Sequence, residues 1–285
     1  MIRIVQYIQP WEIDDFERQI NQLIKSSYNI ENPKNIIIDV TLNLEIVDWV
    51  ASKMPKEYFI DKFNALCKRA QTRYSVEYDM DVNIQGVTDK RRSAESKEQD
   101  YIIWLDSDVF FPTTVLPYMV LATKNIDSEY FILSPQLIRY WDMSWDVLTN
   151  KKYLSEPFNH RDSFESFSLD VNCSDNETKI VANLERIKFG GGWFNLFSNS
   201  VFKKIPLPKD LGSYGPDDTY IAECAVRSHV IQYILEGQIV TEVGKLYQTN
   251  YIKPFLNVKI QDKQKISNSQ LVDLINSFIL KNQKN

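Results

Sequence analysis

Histidine is almost missing from this 285-residue chain: His160 and His229 are the only two. A bound metal would therefore have to rest mainly on oxygen ligands. Cysteine is scarce as well. Cys67, Cys173 and Cys224 are odd in number, far apart and in no Cys-x-x-Cys pairing, which argues against a disulfide framework or a thiolate zinc site. There is no excess of positive charge either. Thirty-three Lys and Arg face 38 Asp and Glu, for a net charge of −5, so no basic face points to nucleic acid. No apolar run approaches the ~18 residues of a membrane span. The opening, MIRIVQYIQPWEIDD, lacks the hydrophobic stretch of a secretory leader. A cytoplasmic location is expected, and the sequons at Asn172 and Asn176 are then accidental.

What is present suits one large α/β domain. Hydrophobic residues make up 44% of the chain, enough to build a sizeable core at this length. An apolar strand (Ile2, Ile4, Val5, Tyr7, Ile8) is followed by Pro10 and a helix carrying Ile13, Phe16, Ile20, Leu23 and Ile24 at helical spacing. Ile36, Ile37, Ile38 and Val40, in a run bounded by Pro33 and Asn43, read as a buried strand, and Phe59, Phe63, Leu66, Cys67 and Ala70 as a second amphipathic helix. From Tyr74 to Ile84 the period becomes two, predicting a strand with one wet face. A polar helix over Lys90–Gln99 precedes the continuous apolar run Tyr101–Leu105. Strands that are apolar on both faces and alternate with helices predict a largely parallel sheet covered on both sides. Farther on, Phe131–Leu133 reads as a strand, and residues 155–179 as a polar loop, either a lid or disordered. A last helix from Ser269 carries Leu271, Leu274, Ile275, Phe278 and Ile279; docking on the core is its simplest use.

Three segments carry possible chemistry. Asp-x-Asp occurs at Asp79–Asp81 and again at Asp106–Asp108. The first pair falls on the wet face of the alternating strand, where acids usually only solubilise. The second follows a buried run and should stand at the carboxyl end of a core parallel strand, where ligands of open α/β sheets bind. Two carboxylates there suit a hard divalent cation that keeps positions open for phosphate; a solvated turn is the plainer alternative. Gly190, Gly191 and Gly192, out of eight glycines in all, precede Trp193 and imply either close backbone approach to a ligand or a bulged strand edge. No Gly-Lys-Ser/Thr follows, so this is not a nucleotide P-loop. In Gly215-Pro216-Asp217-Asp218, the acids either complement a helix dipole or offer one carboxylate as a general base.

Taken in order, the first strand and helix, IIID, the alternating strand, Gly86 with Lys90, Arg91 and Arg92, YIIWLDSDVFFP, GGGWFNLFS and GPDD resemble a GT-A glycosyltransferase of the inverting, family-two-like group over residues 1–250. The resemblance implies a Rossmann-like α/β fold with a mixed, mostly parallel sheet and flanking helices in a single domain. Residues 1–112 would form the nucleotide-sugar half, 113–250 the acceptor and catalytic half, and 251–285 a C-terminal extension. It further implies that Asp106 and Asp108 hold Mn²⁺ or Mg²⁺ against the diphosphate of a donor, a UDP-sugar above others. Asp39 would bind the nucleobase, and Arg91 or Arg92 would lie near the ribose or diphosphate. Gly191, Gly192 and Trp193 would line the acceptor side, with Trp193 stacked on a sugar. Asp218 would deprotonate a glycan or other hydroxyl acceptor, positioned by Asp217. One departure stands out: Val243-Gly244-Lys245 occupies the place where many relatives have a metal-binding His. Lys245 would then neutralise diphosphate directly with weaker metal binding, or be a plain surface residue. Two rival readings exist. A haloacid-dehalogenase-like phosphatase also has Asp-x-Asp-x-Val after a strand, with Ser134 as its second motif. A non-catalytic carbohydrate-binding protein of the same fold would bind sugar without turnover.

Overall fold

Apolar runs become strands where the sequence predicts them, and the helices between them fold back over both faces. The computed structural model describes residues 1–44, 55–80, 83–84, 86–139, 179–182, 193–214, 216–242 and 266–282. The described elements run β1 (Ile2–Ile8), α1 (Ile13–Ser26), β2 (Ile36–Leu42), α2 (Lys56–Ala70), β3 (Ser75–Asp79), α3 (Val87–Glu95), β4 (Tyr101–Leu105), β5 (Val109–Phe110) and α4 (Val115–Asn125). They continue with β6 (Phe131–Arg139), β7 (Lys179–Ala182), β8 (Phe194–Ser198), α5 (Asn199–Lys204), α6 (Asp217–Arg227), β9 (Ile231–Glu242) and α7 (Asn268–Asn282).

One nine-stranded sheet takes the order β3-β2-β1-β4-β8-β6-β9-β5, with β7 also paired to β9. Strands β1 to β4 are mutually parallel. β8 enters antiparallel to both β4 and β6, and β9 lies parallel to β6. Strands β1–β4, β6 and β9 thus share one direction, while β5, β7 and β8 oppose it. This is the mixed, mostly parallel α/β arrangement expected from the sequence.

Alternation along the strands divides the core between the two faces. Ile4, Ile8, Ile38, Val40, Ile103 and Leu105 pack with Phe16, Ile20 and Leu23 of α1 and with Phe59 and Phe63 of α2. Val5, Ile102, Trp104, Ile132 and Phe197 face the other way, onto α5, α6 and α7. Each such large apolar side chain contributes roughly 1.5–3 kcal/mol through burial. Leu271 and Ile275 anchor α7, and Phe278 meets Tyr220 of α6 edge-on at 6.4 Å, so the C-terminal helix docks on the core.

Several boundaries differ from the sequence expectation: α3 spans Val87–Glu95 rather than Lys90–Gln99, and β6 runs on from Leu133 to Arg139. β2 runs to Leu42, just before Asn43 as expected, because Val40 and Leu42 continue the buried apolar face; Asp39 is therefore a mid-strand residue and not the end of the run. β3 ends at Asp79, and its acids keep to the solvent side as predicted, Glu77 at 48% and Asp79 at 43% side-chain exposure, although both are paired. Glu77 receives Arg3 at 2.7 Å and Lys97 at 3.1 Å, and Asp79 receives the Thr41 hydroxyl at 2.6 Å. β3 is the edge strand, and Lys90 and Lys97, at and beyond α3, pair with its acids from one side. The 155–179 segment lies outside the described residues.

Candidate active site

The parallel strands β1, β2 and β4 end on one side of the sheet, and the candidate residues gather there. Asp106 follows the last residue of β4. Its backbone N–H donates to the Trp193 carbonyl at 2.8 Å, carrying the β4–β8 ladder one step past Leu105 and Phe194. The chain then turns through Ser107 and Asp108 into β5, with the Val109 N–H returning to the Asp106 carbonyl at 3.3 Å. Ser107 is buried, whereas Asp106 and Asp108 are half-exposed.

Arg91 joins the two acidic motifs. Its guanidinium, 4% exposed, donates to Asp106 Oδ1 at 2.8 Å and to both carboxylate oxygens of Asp217 at 3.0 Å. The same group lies 4.4 Å above the ring of Trp104, a cation–π contact strengthened by the absence of water. Burial alone would lower the Arg91 pKa, but the charges of Asp217, Asp106 and Asp218 raise it on balance, so the guanidinium stays charged. Asp217 shifts upward chiefly because it is buried, and Arg91 counters only part of that. Asp217 and Asp218 occupy the first turn of α6, where the helix dipole favours negative charge. Asp217 also accepts the Asp218 N–H at 3.0 Å, and Asp218 accepts the Thr219 N–H at 2.7 Å.

The other expected site residues separate into distinct places. Arg92, next to Arg91, points elsewhere and donates to the carbonyls of Leu207, Pro208 and Gly212. Asp39 is 1% exposed and held by Arg3 at 3.0 Å, Lys90 at 2.6 Å and Lys97 at 2.7 Å. Burial would raise its carboxyl, but the two lysines hold it below the ordinary aspartate value. Trp193 contributes its carbonyl to Asp106 and packs its half-buried side chain on the core. Gly191, Gly192 and Lys245 lie outside the described residues. Ser134 sits within β6, buried, and donates to Asn195 Oδ1 at 2.6 Å.

Several participants carry no sequence motif. Gln9 and Asn43, both buried at the ends of β1 and β2, are joined by an Asn43 Nδ2 to Gln9 Oε1 bond of 2.9 Å, and Gln9 donates to the Tyr214 hydroxyl. Gly86 lets this wall approach. A Cβ there would lie 2.1 Å from the Ser213 carbonyl oxygen, which also accepts the Thr88 N–H at 3.0 Å.

Among the described residues, no three His, Cys, Asp or Glu side chains converge as a ready-made metal cage. Two carboxylates one residue apart on a tight turn still fit Mg²⁺ or Mn²⁺, which commonly bind through one or two carboxylates with phosphate and water completing the shell. Among the described residues no helix is long and apolar enough to cross a membrane.

No family model and no curated protein matches the chain. Among solved structures it is similar to TarS 1–349 of S. aureus, at 11% identity over 98% of this chain and 70% of that one, with a TM-score of 0.48. The same fragment in complex with UDP-GlcNAc gives 13% identity, 98% and 71% coverage and a TM-score of 0.46. GalNAc-T7 with UDP, GalNAc and Mn²⁺ gives 12% identity over 85% of this chain and 43% of that one, with a TM-score of 0.47. At such values, what the site does has to be argued from its own side chains.

Proposed function

We propose that the chain is a metal-assisted glycosyltransferase that moves a sugar from a nucleoside-diphosphate donor, a UDP-sugar foremost, to a hydroxyl acceptor. The observation that carries this reading is the Asp106–Arg91–Asp217 bridge. It places the acid of the strand-end turn and the acid pair of α6 around one buried cation at the carboxyl end of parallel strands. Asp106 and Asp108 would hold Mn²⁺ or Mg²⁺, which when bound supplies positive charge to the leaving diphosphate. Arg91 adds a fixed positive charge beside it in a water-poor setting, where such charges act most strongly.

Asp218 is the general base of this reading. It takes the acceptor hydroxyl proton, the acceptor oxygen bonds to the anomeric carbon, and the bond from that carbon to the diphosphate breaks with inversion. Asp217, buried on Arg91, fixes the start of α6 and so the place of Asp218. Lys245 would contact the leaving nucleotide. Trp193, Gly191 and Gly192 would border the acceptor. Asp39, expected at the nucleobase, is instead buried and taken up by Arg3, Lys90 and Lys97, and Arg92, expected near the ribose or diphosphate, is taken up by the 207–212 carbonyls.

UDP release from UDP-sugars in the presence of Mn²⁺, with and without glycan acceptors, tests the proposal. The wild type should turn over, Asp218→Asn should lose most of the rate, and a chelator should suppress it. Hydrolysis of simple phosphomonoesters with no UDP release would instead favour the phosphatase.

A further inference from the structure

Helix α1 lays an apolar stripe towards β1, and polar side chains meet within it. Among Ile4, Ile8, Phe16, Ile20 and Leu23, all buried, sit two buried amides, Gln6 and Gln19, at 1% and 2% exposure. The Gln19 Nε2 donates to two backbone carbonyls, Asp106 at 2.6 Å and Val109 at 2.9 Å. These carbonyls lie on either side of the Ser107–Asp108 turn, so one side-chain amide ties both ends of it. Gln6 holds Gln19 in turn, donating from Nε2 to Gln19 Oε1 at 2.7 Å. The orientation has a cost. Among the described residues Gln6 Oε1 has no hydrogen-bond partner, and a buried orphan acceptor costs on the order of 1–3 kcal/mol. A pair selected for core stability alone would be better as two aliphatic side chains. The turn's carbonyls dictate the donor direction instead.

From this we infer that Gln19, oriented by Gln6, is a positioning residue for the Asp106–Asp108 carboxylates. It rests on the reading of those acids as the metal and diphosphate pair. With the Asp106 N–H on Trp193 and its carbonyl on Gln19, both backbone groups of Asp106 are pinned from opposite sides. The turn is therefore set before any ligand arrives, and little ordering remains to be done on binding.

Three proteins decide it: wild type, Gln19→Met, and Leu23→Ala as a control that weakens the same helix away from the turn. Amide hydrogen exchange at residues 107–109 is measured without metal, and Mn²⁺ is titrated in the presence of UDP. Gln19→Met should speed exchange at the turn and weaken Mn²⁺ binding about tenfold, as loss of an outer support typically does. Leu23→Ala should leave both unchanged below its melting temperature. Gln6→Leu, which frees the Gln19 oxygen but keeps its donors, should shift both in the same direction by less, and it serves if Gln19→Met fails to fold. Exchange and affinity equal to wild type in the glutamine variants, or equal to those of Leu23→Ala, overturn the inference. Faster exchange with no Mn²⁺ binding even in wild type would uphold the positioning and sink the donor-site reading.

Discussion

Arg91 holds the candidate site together, and its removal shows what a buried cation between two acids is worth. Arg91→Ala leaves Asp217 buried without its counter-cation, a change that typically costs 3–5 kcal/mol. The double variant Arg91→Met with Asp217→Leu should recover most of that loss in urea unfolding while abolishing turnover. A double variant as unstable as Arg91→Ala would contradict the electrostatic account. The residue was only half legible in sequence. The basic segment could be named, but Arg91 and Arg92 are adjacent, and neighbouring positions on a helix point roughly 100° apart. Helix phase puts Arg91 over Trp104 and sends Arg92 to the backbone of the 207–212 loop. The Asp217 partner lies 126 positions away, beyond any local pattern. Gln6, Gln9, Gln19 and Asn43 were illegible for a related reason: an isolated amide in an apolar stretch does not disclose which carbonyl it will meet.

At the scale of elements, α3 is the hinge between sheet and site. Glu95, near its end, accepts the Leu207 N–H at 3.0 Å, and the same loop leads through Ser213 and Tyr214 to α6. Burial is the main influence on Glu95 and pushes its pKa up to about 7, with the Leu207 N–H and Arg92 opposing only in part. The folded protein therefore binds this proton more tightly than the unfolded chain, where glutamate titrates near ~4.3. Stability from this group is greatest below that value, falls as pH rises towards 7 and levels off above it. Glu95→Gln should flatten this slope and raise Tm at pH 8 relative to wild type, as followed by circular dichroism. An unchanged slope would show that Glu95 does not titrate there. The strand and helix positions flanking α3 were readable from apolar periodicity. β3 was overextended, because a run of alternating residues does not reveal that it lies at the sheet edge.

In the whole molecule, the parallel half and the mixed half meet at β4 and β8, and Arg91 brings Asp217 of α6 to Asp106 at the carboxyl end of β4. Order and context made the strand-end Asp106 legible, since a buried run stopping at an acid marks a carboxyl terminus of a core strand. Insertion of β8 against β4 was not legible, because strand pairing across the chain is decided by sheet packing. In the proposed function, this end of the sheet binds a nucleoside diphosphate through Asp106 and Asp108 with a divalent cation. Isothermal titration of UDP into wild type and Asp108→Ala, each with Mn²⁺ and with chelator, tests it most directly. Binding in wild type that requires Mn²⁺ and disappears in Asp108→Ala is the predicted result. No UDP binding by folded wild type, or equal binding by Asp108→Ala, would contradict it.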